Sequence, residues 1–119
     1  MTAYQLRYYQ TTDARQPFTE WLSGLDDRQA RTRIEARLAR VAVGNLGDVE
    51  AVGGGVMELR VDWGPGYRVY FARVGQVIVL LLCGGDKRTQ QRDIERAKTY
   101  FEDYKVRSAK ATRSPGRRT

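Results

Sequence analysis

The chain has 119 residues, 41% of them hydrophobic and 29% charged, with a formal net charge of +7, which suits one compact globular domain. It has no histidine and a single cysteine, Cys83, which excludes Ser-His and Cys-His catalysis, the usual zinc sites and an intrachain disulfide. No apolar run reaches membrane-span length and Met1 to Gln10 lacks a signal-peptide core, so no membrane partner and a cytoplasmic setting are expected.

Tyr4 to Gln10 is aromatic-rich and short and reads as a first strand. Pro17 opens a short helix in which Phe18, Trp21, Leu22 and Leu25 fall on one apolar face. Asp26 or Asp27 caps a second helix to about Val43, with Ala30, Ile34, Leu38 and Val41 as its apolar stripe. Arg28, Arg31, Arg33, Arg37 and Arg40 fill the rest of that helix and read as a solvated face. Gly44 to Gly55 holds five glycines and is a loop with room for a short strand around Val49 to Val52. It lacks the Lys-Ser or Lys-Thr of a Walker-type phosphate loop.

Three strands follow. Val56 to Trp63 alternates, with Val56, Glu58, Arg60 and Asp62 facing one way and Met57, Leu59, Val61 and Trp63 the other. Gly64-Pro65-Gly66 is a turn, and Tyr67 to Arg73 alternates again, with Arg68 and Tyr70 opposite Val69 and Phe71. Val77 to Cys83 is uniformly apolar, as a strand covered on both faces should be, which makes Cys83 a buried small hydrophobe. Thr89 caps a last helix to about Tyr104, with Ile94, Ala97, Phe101 and Tyr104 on one face. The order β-α-α-β-β-β-α predicts an α+β fold: a small twisted, mostly antiparallel sheet with an N-terminal helical hairpin and a C-terminal helix.

Charge divides the chain at residue 104. Residues 105–119 carry six of the 21 basic residues and no acidic one, leaving 15 basic and 14 acidic residues before them. The expectation is a folded domain over residues 1–104 and a basic, disordered tail over 105–119. Such a tail either binds RNA phosphates by counterion release or serves only as a solubilising end.

With only carboxylates left as metal ligands, and those in no metal-site spacing, nucleophilic and metal mechanisms start far behind; no cofactor is implied, and a cationic patch remains. Arg60 and Arg68 share a sheet face across the Gly-Pro-Gly hairpin, and Lys87 follows the buried strand at the edge of the same sheet. Arginine offers phosphate a planar fork, and lysine among cations can exchange a proton near neutral pH. RNA supplies its own nucleophile, the 2′-OH, so three such cations suffice for positioning and charge stabilisation. Arg60, Arg68 and Lys87 are the candidate catalytic residues; Tyr70, Arg88, Lys105, Arg107 and Lys110 are candidate RNA contacts. The competing interpretation pairs Arg60 with Glu58 or Asp62 on a solvated face and leaves Lys87 closing a turn.

Three segments carry a resemblance: Val56-Met57-Glu58-Leu59-Arg60-Val61; Gly64-Pro65-Gly66-Tyr67-Arg68-Val69-Tyr70-Phe71; and Leu82-Cys83-Gly84-Gly85-Asp86-Lys87-Arg88-Thr89-Gln90 with Asp93, Ile94 and Ala97. Together with Phe18, Trp21-Leu22 and Gly44-Asn45-Leu46-Gly47-Asp48, they make residues 4 to 104 resemble the HigB-like addiction-module killer branch of the RelE/ParE toxin superfamily. The resemblance implies the RelE-like fold and ribosome-dependent cleavage of mRNA. It also implies neutralisation by an antitoxin protein, expected to be of helix-turn-helix type. It places Arg68 on the scissile phosphate, Lys87 at the transition-state charge or the leaving group, and Arg60 on the preceding strand. The chain departs from ribonuclease members in carrying Asp93 where they often have Tyr or His, and Glu58 and Val61 where some have lysines. Two other functions compete: a ParE-like gyrase inhibitor without nuclease activity, and a non-catalytic RNA-binding module.

Overall fold

A computed structural model describes residues 3–112. The elements are β1 (Gln5–Tyr8), α1 (Pro17–Ser23), α2 (Arg28–Ala42), β2 (Val49–Gly53), β3 (Val56–Val61), β4 (Tyr67–Val74), β5 (Ile78–Asp86), a 3-10 turn (Lys87–Thr89) and α3 (Gln90–Thr112). The fold is α+β as expected, with β2 as a fourth strand between α2 and α3 where the simple order has three. It occupies the Val49 to Val52 stretch of the glycine loop and pairs with β3 antiparallel.

The five strands run β1-β5-β4-β3-β2. Only β1 and β5 pair in parallel; every other neighbouring pair is antiparallel. The interior position of β5, between β1 and β4, accounts for its unbroken apolar run, because helices cover both of its faces. On one face α1 and α2 bring Phe18, Ile34, Leu38 and Val41 against Leu59, Val69, Phe71 and Leu81. On the other, α3 brings Ala97 and Phe101 against Val56, Tyr70, Leu80, Leu82 and Cys83. Burial pushes the Cys83 thiol up to about 12.

Local chemistry explains the helix starts. Asp27 is the cap of α2, its carboxylate accepting from the backbone of Gln29 at 3.0 Å and Ala30 at 3.1 Å. The same side chain accepts from Trp63 Nε1 at 3.0 Å, tying the helical hairpin to the end of β3. The last helix begins directly after Thr89, preceded by a 3-10 turn that has its own cap. Asp86 accepts the backbone N–H of Arg88, and Thr89 donates its hydroxyl to Asp93.

The largest correction lies at the C-terminal end. The last helix does not stop near Tyr104 but continues to Thr112, so residues 105–112 are helical instead of disordered. Their sequence favours it, with good helix formers, a Lys105–Glu102 pair at 3.2 Å and an Arg107–Asp103 pair at 2.7 Å one turn apart. Arg107 also donates to the carbonyl of Gln10, and its cations sit where the helix dipole welcomes them. The rest of the expected tail, 113–119, lies outside the described residues. Among the described residues no helix is long and apolar enough to cross a membrane.

Candidate functional site

The β3–β4 hairpin sets Arg60 directly opposite Arg68. Two like charges in cross-strand register repel, so something nearby must compensate. The Gly64-Pro65-Gly66 turn closes with Gly66 N–H donating to the carbonyl of Trp63 at 3.0 Å. Gly66 has φ +85°, and a Cβ there would approach Arg68 Nη1 and Lys87 Cβ at 3.4 and 3.6 Å. The positive φ is what calls for glycine here, since a Cβ would meet both neighbours only at ordinary contact distance. Lys87 N–H donates to the Gly66 carbonyl at 2.9 Å, which pins the end of β5 to the turn.

These contacts gather all three predicted catalytic residues around one surface pocket of about 380 Å³, lined by Asp48, Arg60, Asp62, Arg68, Lys87 and the turn. The pocket is not a bare cationic patch. Arg60 contacts three carboxylates: Glu50, Glu58 at 3.2 Å and Asp48 at 3.9 Å. Loss of hydration works against its charge, and Glu50 with Glu58 outweighs this, holding the guanidinium above its ordinary value. Of the two expected acidic partners, Glu58 is engaged, while Asp62 only lines the pocket. Lys87 is exposed.

Arg68 is different. Its side chain is 13% exposed, and Nε lies 3.8 Å from Glu58 Oε1, within ion-pair range but beyond a hydrogen bond. Among the described residues, that Nε is the buried side-chain nitrogen or oxygen left without a hydrogen-bond partner. Nη1 donates weakly to the Tyr67 carbonyl at 3.4 Å and reaches the Gly66 side of the pocket.

Beneath the arginines, Glu58 is fully buried. Its Oε2 accepts from Tyr70 at 2.9 Å and from Gln90 Nε2 at 2.7 Å. Sequence alternation placed Glu58 on the right face, but that face is covered by α3 and not solvated. Tyr70, expected to touch RNA, is likewise fully buried, so it holds Glu58 and offers no surface for a base to stack on. Burial first, then the bond to Glu58, raises its phenol far above the ordinary range. Gln90, Asp48 and Glu50 were not legible as site residues, since isolated polar residues at element ends carry no local signal.

The remaining candidate RNA contacts sit elsewhere. Arg88 is exposed and forks onto Asp86 at 2.9 and 3.3 Å. Lys105 lies 4.8 Å over the Phe101 ring and Lys110 is exposed. Arg107 is committed to Asp103, which also accepts from Tyr9 at 2.6 Å. None of these four lines the Arg68 pocket.

The neighbouring glycines of β5 bring helices close. A Cβ on Gly84 would collide with the Trp21 ring, and one on Gly85 with the Asp93 carboxylate. Asp93, the departure from the ribonuclease pattern, is thus buried against the Gly85 backbone and bonded to Thr89, not facing the pocket.

No family model matches the chain. An uncharacterized protein of Haemophilus influenzae is 51% identical over 86 residues, which span 72% of this chain and 87% of that protein. Identity of that level over that much of both chains makes this protein a member of the same family as the Haemophilus influenzae protein.

Proposed function

We propose that this protein is an endoribonuclease toxin of the RelE-like kind, of the HigB-like branch of the RelE/ParE superfamily, acting on mRNA at the ribosome. The observation that carries the reading is that Arg68 and Lys87 line one pocket beside the Gly64-Pro65-Gly66 turn. A phosphodiester seated there meets the guanidinium of Arg68, mostly covered by its neighbours, and an exposed ammonium. The 2′-oxygen of the substrate attacks the adjacent phosphorus, a 2′,3′-cyclic phosphate forms and the bond to the 5′-oxygen breaks. The proton of the 2′-OH passes to solvent, and the leaving oxygen takes one from Lys87 or water. Arg68 offsets the charge on the phosphoryl oxygens. The partners of this reading are the ribosome with its mRNA and a cognate antitoxin of helix-turn-helix type, in the cytoplasm.

One observation favours a second reading. Arg60 is already satisfied by carboxylates, so it is poorly placed to grip phosphate, and a gyrase-inhibiting toxin of the same superfamily would need no such grip. Induced expression separates the two: mRNA cleavage and arrested translation support the nuclease, and loss of negative supercoiling with intact mRNA supports the gyrase inhibitor. Under the nuclease reading Arg68→Ala abolishes growth arrest, and full toxicity of a folded Arg68→Ala protein would refute the assignment of the site.

A further inference from the structure

A carboxylate with no exposed surface is costly unless every lone pair is used, and Glu58 lies directly under the pocket. Its four neighbours come from three parts of the chain. Arg60 is on the same strand, Arg68 and Tyr70 are on β4, and Gln90 is the first residue of α3, immediately after the turn that carries Lys87. One oxygen is held by two neutral donors, Tyr70 and Gln90. That leaves the other oxygen pointing at the two arginines. Arg60 shares its charge with Glu50 and Asp48 as well, but Glu58 is the carboxylate in ion-pair range of Arg68.

We infer that Glu58 is the positioning residue of the site: it anchors the inner edge of the Arg68 guanidinium so that the two terminal nitrogens face the pocket. The contact at 3.8 Å, with Nε otherwise unpartnered, is short of a hydrogen bond. Anion binding at the outer edge of Arg68 would draw the guanidinium into register with Glu58, completing a bond on the inner edge. Tyr70 and Gln90 hold Glu58 in turn, so β3, β4 and the start of α3 are locked to one carboxylate. The consequence for catalysis rests on the nuclease reading above; the geometric role does not.

Glu58→Gln keeps the volume and removes the charge. Two measurements on the full chain test it. The first needs no substrate: solvent exchange of the Arg68 Nε proton, followed by NMR without and with inorganic phosphate, should slow by about tenfold or more on phosphate binding in the unaltered protein and hardly at all in the variant, while the backbone spectrum stays native. The second is single-turnover cleavage of mRNA on translating ribosomes. The saturated rate should fall roughly 10- to 100-fold, as misplacement of a catalytic group does, with the half-saturating ribosome concentration changed by less than about threefold. If Glu58→Gln fails to fold, Tyr70→Phe withdraws one donor from Glu58 at nearly constant volume and should weaken the phosphate-induced slowing of Arg68 exchange in the same direction. No slowing by phosphate in the unaltered protein, or equal slowing in the folded variants, overturns the inference. Absence of mRNA cleavage by the unaltered protein would sink the nuclease reading alone, and the exchange measurement would still decide the role of Glu58.

Discussion

The two faces of the sheet are built on different principles. The face under α1 and α2 is an apolar core, Phe18, Ile34, Leu38 and Val41 on Leu59, Val69, Phe71 and Leu81, with no buried charge among them. The face under α3 is apolar around Phe101, Leu80 and Leu82 but buries Glu58 and Asp93 toward the Gly64–Gly66 end, where Arg60, Arg68 and Lys87 meet. Hydrophobic contact is non-directional and forgiving, whereas a buried carboxylate demands particular donors at particular distances. The first face therefore supplies stability, and the second uses part of it to fix the direction of side chains.

That contrast can be broken in four ways. The largest effect is expected from the first face: Phe71→Ala removes a ring that is 1% exposed and should cost about 3–5 kcal/mol in urea unfolding. A loss below about 1 kcal/mol would mean that this face is not the main source of stability. Next, Lys87→Ala touches only the exposed rim of the second face. Its unfolding free energy should stay within about 0.5 kcal/mol of the unaltered protein, while mRNA cleavage falls by about 10²-fold if Lys87 serves the transition state. Lys87→Arg divides the roles, since arginine keeps the charge but does not give up a proton. Full activity of that variant leaves electrostatics as the sole contribution.

The smallest effect concerns the far end of the α3 face. Burial, and then the bond to Asp103, push the Tyr9 phenol from its ordinary value of 10 up to about 12. A group whose folded value is raised contributes stability that is complete below its unfolded value and vanishes as pH climbs through the folded one. Stability should therefore decline from about pH 10 to pH 12, and Tyr9→Phe should flatten that decline without abolishing it, since Cys83 is also raised to about 12. An alkaline unfolding curve identical in the two proteins would mean that Tyr9 is no more protected from ionisation when folded than when unfolded.

Arg68→Ala is informative for the same reason. On a solvated sheet face its removal would leave the fold untouched. With the side chain 87% covered and Glu58 beneath it, the variant loses a counter-charge to a buried carboxylate and should be less stable as well as inactive. The activity of the folded fraction, and not expression level, is the measure of the site.

The sequence by itself determined what short-range physics controls. The 3.6-residue stripe of Ala30, Ile34, Leu38 and Val41 sets the buried side of α2, and Asp27 its start. Two-residue alternation set which side chains of β3 and β4 share a face, and the hairpin register brought Arg60 opposite Arg68 as that alternation required. The apolar run through Cys83 announced a strand covered on both sides. Only the tertiary structure decided what covers each face. Alternation says that Glu58, Arg68 and Tyr70 point the same way, but whether they meet water or a helix depends on α3, which arrives from about 30 residues later in the chain. The helix extension to Thr112 was hidden for a related reason. Local composition there was basic and poor in apolar residues, while a contact that ties it to the rest of the fold, Arg107 to the carbonyl of Gln10, reaches back to a segment nearly a whole chain away. The pairing of β1 with β5 has the same origin, because a parallel neighbour so distant in sequence leaves no mark on either strand's own pattern.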